Sequence, residues 1–289
     1  MSEGAYLMQL GAVPYREAWD LQRSLAAAVS QGAIPDTVIF CEHPPVITVG
    51  RRTEESELHI PKGAKVEIVE TDRGGKSTYH GPGQLVCYPI LDLRRHGKDV
   101  KLYVRRLEQA LIQTLAPLGI EATRIEGLTG VWLQSPSAAS GVSLASGGRE
   151  DSVSSTASRL ERGERRERSA EPGSARREPH AAGGGGPRKI ASIGVRVARW
   201  VTTHGYALNV NLDPAPFSDW ITACGLEDAA FTTIARELGR PMTVEEIRSP
   251  AAEAIAEVFE LELEQVPVED GATGLWPQPI HAKLAAKGS

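Results

Sequence analysis

The 289-residue sequence predicts an α+β fold, a mostly antiparallel sheet with helices packed on it. Short β-branched runs follow one another with only Gly and Pro turns between them, the mark of strands that pair with their neighbours. Stretches with apolar residues at helical spacing supply helices to pack on one side of the sheet. With 41% hydrophobic and 24% charged residues, the composition is that of a chain able to bury a core.

Taken in order, Pro14 to Ser30 carries Tyr15, Ala18, Trp19, Leu25 and Val29 on one helical stripe. "TVIFCEH" and "PVITVG" read as strands around Pro44-Pro45. "KVEIVET" alternates apolar with polar, and "LVCYPILDL" is almost continuously apolar. Val100, Val104, Leu107, Leu111 and Leu115 line one face of a helix that Gly119 ends. "TGVWL", "RKIASIGVRV" and "GYALNVNL" are strands, with "FTTIARELG" after them. Thr243 and Glu246 form a capping box opening a last helix, which Pro250 is expected to break or kink.

The middle of the chain changes character. Residues 135–187 hold no Phe, Tyr, Trp or Ile, and only Val142, Leu144, Val153 and Leu160 as large aliphatics. Such a segment buries too little surface to offset its ordering entropy, so it is expected to be a disordered low-complexity insertion in a strand–strand loop. The organisation expected is one domain over 1–134 and 188–266, the insertion at 135–187, and a loose Gly- and Pro-punctuated tail at 267–289.

A net charge of −5 gives no global case for nucleic acid. No run approaches the roughly 18 apolar residues of a membrane span, and "MSEGAYLMQL" lacks the pattern of a signal peptide. Cys41, Cys87 and Cys224 are too few and scattered for a disulfide framework or a zinc cluster. A reduced, cytoplasmic protein without metal or cofactor is expected.

Chemistry could reside in three places. Cys224, in "DWITACGLED", follows a Pro-rich turn and reads as a loop thiol, structural or nucleophilic. Lys189 opens an apolar strand and either snorkels to solvent or serves a nearby thiol as cation or base; His80 and His204 are rival bases. "RGGKSTYHGPG", residues 73–83, combines bare backbone N–H groups with the Arg73 guanidinium, a set suited to a carbonyl, carboxylate or phosphate. Its spacing fits neither G-x-x-x-x-G-K-[ST] nor G-x-G-x-x-G.

In this order, "EHPPVITVGRR", "RGGKSTYHGPGQLVCYPILDLR", "TGVW", "RKIASIGVRV", "THGYALNV" and "ACGL" resemble the octanoyltransferases of lipoate biosynthesis. That family is similar in turn to the catalytic domains of lipoate and biotin protein ligases. The resemblance implies transfer of an octanoyl group from octanoyl-acyl carrier protein to a lysine ε-amine, through a cysteine thioester. The implied acceptors are lipoyl domains of 2-oxoacid dehydrogenase complexes and the glycine cleavage H protein. The family's Cys/Lys pair falls on Cys224 and Lys189. Its acyl pocket falls on Arg73, Gly74, Gly75, Lys76, Ser77, Thr78, Tyr79 and His80, on Ser192, Ile193 and Gly194, and on Gly205, Tyr206 and Ala207. Tyr79 and His80 would close its polar end, with Lys76 on the loop surface. Arg51, Arg52, Arg94 and Arg95 are the basic rim offered to an acidic partner. Two departures stand out: the insertion enters a hairpin that is short in the family, and Cys87 replaces a small residue. A lipoate ligase on the same fold would use ATP, but the sequence shows no phosphate loop.

Overall fold

The computed structural model describes residues 3–134, 186–222, 230–271 and 274–277, with side chains up to residue 268. In chain order, β1 (Glu3–Ala12) leads into α1 (Tyr15–Ser30), β2 (Asp36–Glu42) and β3 (Val46–Val49). β4 (Glu67–Glu70), β5 (Thr78–His80) and β6 (Gln84–Ile90) precede α2 (Val100–Leu115), followed by β7 (Ala122–Ile125) and β8 (Leu128–Leu133). After the gap come β9 (Arg188–Ala198), β10 (Val201–Asn209) and α3 (Ala215–Asp219). Then come β11 (Ala230–Phe231), α4 (Ile234–Leu238), α5 (Val244–Phe259) and β12 (Leu261–Gln265). The chain's last described pair is β13 (Val268–Gly271) with β14 (Gly274–Pro277).

The main sheet runs β12-β1-β2-β6-β10-β9-β8-β7, with β11 beside β9. Pairing is antiparallel from β2 through β6, β10, β9 and β8 to β7, and parallel where β1 meets β2 and β12. The expected α+β architecture is therefore present. Helices cover both faces of this sheet, where the sequence suggested one. α1 packs its Leu21 and Leu25 with Ile39, Cys41, Val86 and Tyr88. On the opposite face α2 and α5 bury Leu107, Leu111, Ile247 and Ile255 with Phe40, Leu85, Cys87 and Leu208. The cause is legible in β6, where all seven positions are buried: a strand apolar at every position needs cover on two sides.

"PVITVG" does not pair with "TVIFCEH". Its strand β3 joins β4 and β5 in a separate three-stranded sheet. α2 is capped by Asp99, whose side chain accepts the N–H groups of Lys101 and Leu102; Val100 sits exposed in its first turn, and Tyr103 takes the buried place instead. α5 has the capping box expected, but runs unbroken through Pro250. Buried Ile247, Ala251, Ala254 and Ile255 hold it across the missing hydrogen bond. Leu133 of β8 lies opposite Arg188 of β9, so residues 135–187 do interrupt a hairpin. Residues 135–185 lie outside the described residues; those described fall in one compact unit built from the chain on either side. The tail expected to be loose carries the β13–β14 hairpin. Among the described residues no helix is long and apolar enough to cross a membrane.

Candidate active site

A cavity of about 410 Å³ opens between the β9–β10 hairpin, α1 and the loop preceding β5. Its floor follows from residue size. In the β9–β10 ladder Ser192 lies opposite Ala207 and Gly194 opposite Gly205. Residues directly paired, or two apart, share a face of the sheet. Four very small residues on one face leave a trough, while Ile193 and Tyr206 between them project toward the α2 and α5 core. Gly205 has a backbone reason too: a Cβ there would run into the Cys87 carbonyl oxygen and stand 2.8 Å from Pro89 Cδ.

The roof is the loop Asp72–Ser77. Gly74 donates its N–H to the Val195 carbonyl of β9 at 3.0 Å, and Arg51 and Arg52 donate theirs to the carbonyls of Arg73 and Gly75. A Cβ on Gly194 would lie 3.1 Å from both Arg73 Cδ and the Gly74 oxygen, so the bare backbone lets roof and floor meet. Arg73 itself is buried and donates to Thr48 Oγ1 and the carbonyls of Thr48, Gly74 and Lys76. The guanidinium expected to meet a ligand is thus turned on the loop's own backbone, clamping it to β3. Lys76 pairs with Glu57. Burial pushes the Glu57 carboxyl up, but the Lys76 hydrogen bond and the Glu54 N–H more than offset it and leave it below its ordinary value.

β5 forms one wall. Thr78 and His80 border the cavity, and alternation sends Tyr79, expected beside His80, to the other side. There its ring meets Phe217 and Trp220 edge-on, at 5.8 and 5.9 Å. His80 Nδ1 is 2.7 Å from Gln84 Oε1, and its ring stacks on Tyr15. Burial, aided by the charges of neighbouring His43 and Arg73, lowers the His80 pKa to about 3. His43, held between the Val13 carbonyl and the Tyr88 hydroxyl, is lowered by burial to about 4. Both are neutral at pH 7, and so weakly basic that His80 is a poor general base. His204, in left-handed backbone at φ 59°, spans Tyr15 at 3.2 Å and Asp72 at 2.8 Å. Burial lowers its pKa against the opposing pull of Asp72.

Lys189 does not reach for solvent. It is 3% exposed, borders the cavity, and holds its Nζ 4.9 Å from the centroid of the Trp132 ring. An amine beside a trough of small residues is equipped to accept or hold a proton at a bound carbonyl compound. Cys224 lies outside the described residues. The chain leading to it is fixed by the Thr222 N–H on the Glu57 carbonyl, and the chain after it by Phe231 pairing with Lys189.

The lipoyl protein ligase A/B catalytic domain family matches residues 14–256. Octanoyltransferase of Mycobacterium leprae is 42% identical over 252 residues, 87% of this chain and 86% of the relative. That of Streptomyces coelicolor is 45% identical over 261 residues, 86% and 89% of the two chains. The chain belongs to the octanoyltransferase family. Membership makes the protein an acyltransferase of lipoate biosynthesis. Among solved structures, a bipartite lipoate protein ligase from Thermoplasma acidophilum has the same fold, at TM-score 0.58 and 13% identity over 99% of this chain and 92% of that one. A lipoate-protein ligase A bound with ATP matches at TM-score 0.57 and 12% identity, over 99% and 94%.

For this octanoyltransferase the cavity gathers most of the residues singled out in the sequence. Arg73, Gly74, Gly75, Lys76, Ser77, Thr78 and His80 arrive from the loop and β5. Lys189, Ser192, Ile193 and Gly194 come from β9, and Gly205, Tyr206 and Ala207 from β10. Tyr15, Tyr88 and Trp132 were not anticipated as lining; the pairing of Gly130 with Trp132 in "TGVW" was the available signal for the last. Of the basic rim, Arg52 borders the cavity, whereas Arg94 is paired with Asp92 and Arg95 with Asp36 and Glu3. Cys87 is fully buried beside Phe40 and Tyr206, as a packing residue would be.

Proposed function

We propose that this octanoyltransferase takes the octanoyl group from the thioester of octanoyl-acyl carrier protein and delivers it to the target lysine of a lipoyl domain, with Cys224 as nucleophile and Lys189 as its partner. The acceptors are the lipoyl domains of 2-oxoacid dehydrogenases and the glycine cleavage H protein. The observation that carries the reading is Lys189, buried at the edge of a trough floored by Ser192, Gly194, Gly205 and Ala207. The slot suits an unbranched acyl chain, and the amine stands beside it.

In the first half, the Cys224 thiolate, held by the Lys189 ammonium, attacks the thioester carbonyl. The carbon–sulfur bond to the carrier breaks, the Lys189 ammonium gives its proton to the departing thiolate, and the carrier thiol leaves with Lys189 now a neutral amine. In the second, the acceptor lysine's neutral amine attacks the enzyme thioester, its proton passes to Lys189, and the thiolate leaves as the amide forms. Exchange of a thioester for an amide is downhill, so the cycle needs no nucleotide.

Intact mass spectrometry after mixing the protein with octanoyl-acyl carrier protein tests this. The expected result is one added octanoyl group, labile to hydroxylamine and absent from Cys224→Ala. An unmodified wild-type protein, with transfer to a lipoyl domain persisting in the variant, would sink the covalent route.

A further inference from the structure

We propose that Trp132 is a positioning residue for Lys189, its indole face and the bare Gly130 backbone together fixing where the amine stands in the cavity. This rests on the reading of Lys189 given above.

Three features of β8 converge on that side chain. Val131 and Leu133 belong to the core with α2, so alternation puts Trp132 on the opposite face. The β8–β9 register slips between Val131 and Trp132, and Trp132 lies opposite Lys189; a slip of this kind re-aims side chains beside a site. The Lys189 Nζ then lies 4.9 Å from the ring centroid, with Trp132 only 1% exposed. Desolvated Trp faces are the strongest aromatic partners of an ammonium, through the negative face of the ring quadrupole.

Gly130 supplies the room. It holds φ at 117°, and a Cβ there would stand 2.7 Å from Lys189 Cε and 3.2 Å from Nζ. With the Ala191 carbonyl oxygen also 2.6 Å away, any side chain would press on the backbone of β9 and on the end of the lysine together. Its own position is fixed by its N–H, which donates to Glu108 Oε1 at 3.3 Å. The other oxygen of that buried carboxylate meets Arg105 and Arg124, each at 3.2 Å. The arrangement thus acts as a rigid bracket. The Trp face holds the ammonium from one side, and the gap at Gly130 admits the lysine stem. Two leaving and entering protein substrates need the amine in one place through both half-reactions. A reacting group displaced by about 1 Å can cost on the order of a hundredfold in rate.

The test compares Trp132→Phe, Trp132→Leu, Gly130→Ala and Lys189→Ala in the full chain. Steady-state transfer from octanoyl-acyl carrier protein to a lipoyl domain is measured, with melting temperatures alongside. NMR of ¹³C-lysine-labelled protein reads the geometry independently of turnover. Lys189 ε-protons over an indole face should resonate upfield of the other lysines and return in Trp132→Leu. Trp132→Leu and Gly130→Ala should lower kcat about tenfold or more with the donor KM little changed, and Trp132→Phe, which keeps an aromatic face, should recover most of it. No upfield Lys189 signal, or equal losses in the Phe and Leu variants, or full turnover in Trp132→Leu, overturns the proposal. An upfield signal together with full transfer by Lys189→Ala would instead leave the bracket standing and bring down the catalytic reading of Lys189.

Discussion

Arg73 shows how much one side chain can organise. Its guanidinium reaches Thr48 on β3 and the carbonyls of Gly74 and Lys76 in the roof loop, all from a buried position. A planar fork makes such simultaneous contacts; a single ammonium cannot. Arg73→Lys keeps the charge but strands buried carbonyls, each costing about 1–3 kcal/mol when left unpaired. The expected outcome is a lower melting temperature and a fall in kcat/KM of about tenfold or more; a variant matching the wild type in both would show the clamp to be dispensable. Gly205 makes a second residue-scale case. Its close approach to the Cys87 carbonyl is backbone against backbone, so the neighbour cannot swing aside. Gly205→Ala should cost about 1–3 kcal/mol, read as a lower urea midpoint at unchanged slope. An unshifted midpoint would mean that β6 and β10 separate more easily than their pairing suggests.

At the scale of elements, α5 carries two opposing instructions. Thr243 caps it by accepting the Glu246 N–H, and Glu246 returns the bond to the Thr243 N–H. Pro250, inside the helix, removes one ladder bond. Thr243→Ala is expected to destabilise by about 1 kcal/mol, whereas Pro250→Ala restores the bond and should stabilise; chemical denaturation of both variants checks the opposite signs, and two shifts of the same sign would contradict the account. This helix also shows where sequence reasoning stopped. The capping box is local chemistry and was legible; the outcome at Pro250 depended on Ile247, Ala251, Ala254 and Ile255 meeting a core assembled from distant chain. The strands β1, β7 and β12 were missed for the same reason. "LELEQ" is a short run with three polar residues and becomes a strand because β1 offers it parallel partners from Leu261 to Gln265. Residue type alone left Lys189 open between solvent and a nearby thiol, and only the family resemblance carried by the "RGGKSTYH" block and its companions made the cavity lining legible. Which way each side chain turns was not. Tyr79 left the cavity because its neighbour His80 entered it, and Lys189 came to stand opposite Trp132 through a register slip at Ile190 that no pattern of residues announces.

Across the whole molecule, the buried imidazoles tie stability to pH. His43 and His80 have pKa values lowered by burial from 6.5 to about 4 and about 3, and burial lowers His204 too. The unfolded chain takes up protons at these groups near pH 6.5 while the folded chain does not. Stability is therefore fully present above that pH and declines as pH falls toward the folded values, each histidine adding up to about 1.4 kcal/mol per pH unit. The carboxylates act later and in the same direction. Asp72, lowered chiefly by its hydrogen bond to His204, and Glu57, held down by Lys76 against its burial, lose their contributions only below their ordinary values of 3.8 and 4.5. Urea midpoints measured between pH 8 and pH 4 should thus begin to fall near pH 6.5, well above the carboxylate range. His43→Gln with His80→Gln should flatten the part between 6.5 and 5 while lowering stability at pH 8, because the bonds to the Val13 carbonyl and Gln84 are remade imperfectly. A wild-type midpoint that stays level down to pH 5 would mean that these imidazoles take up protons inside the fold, with the cluster around Tyr15 opening to water as they do.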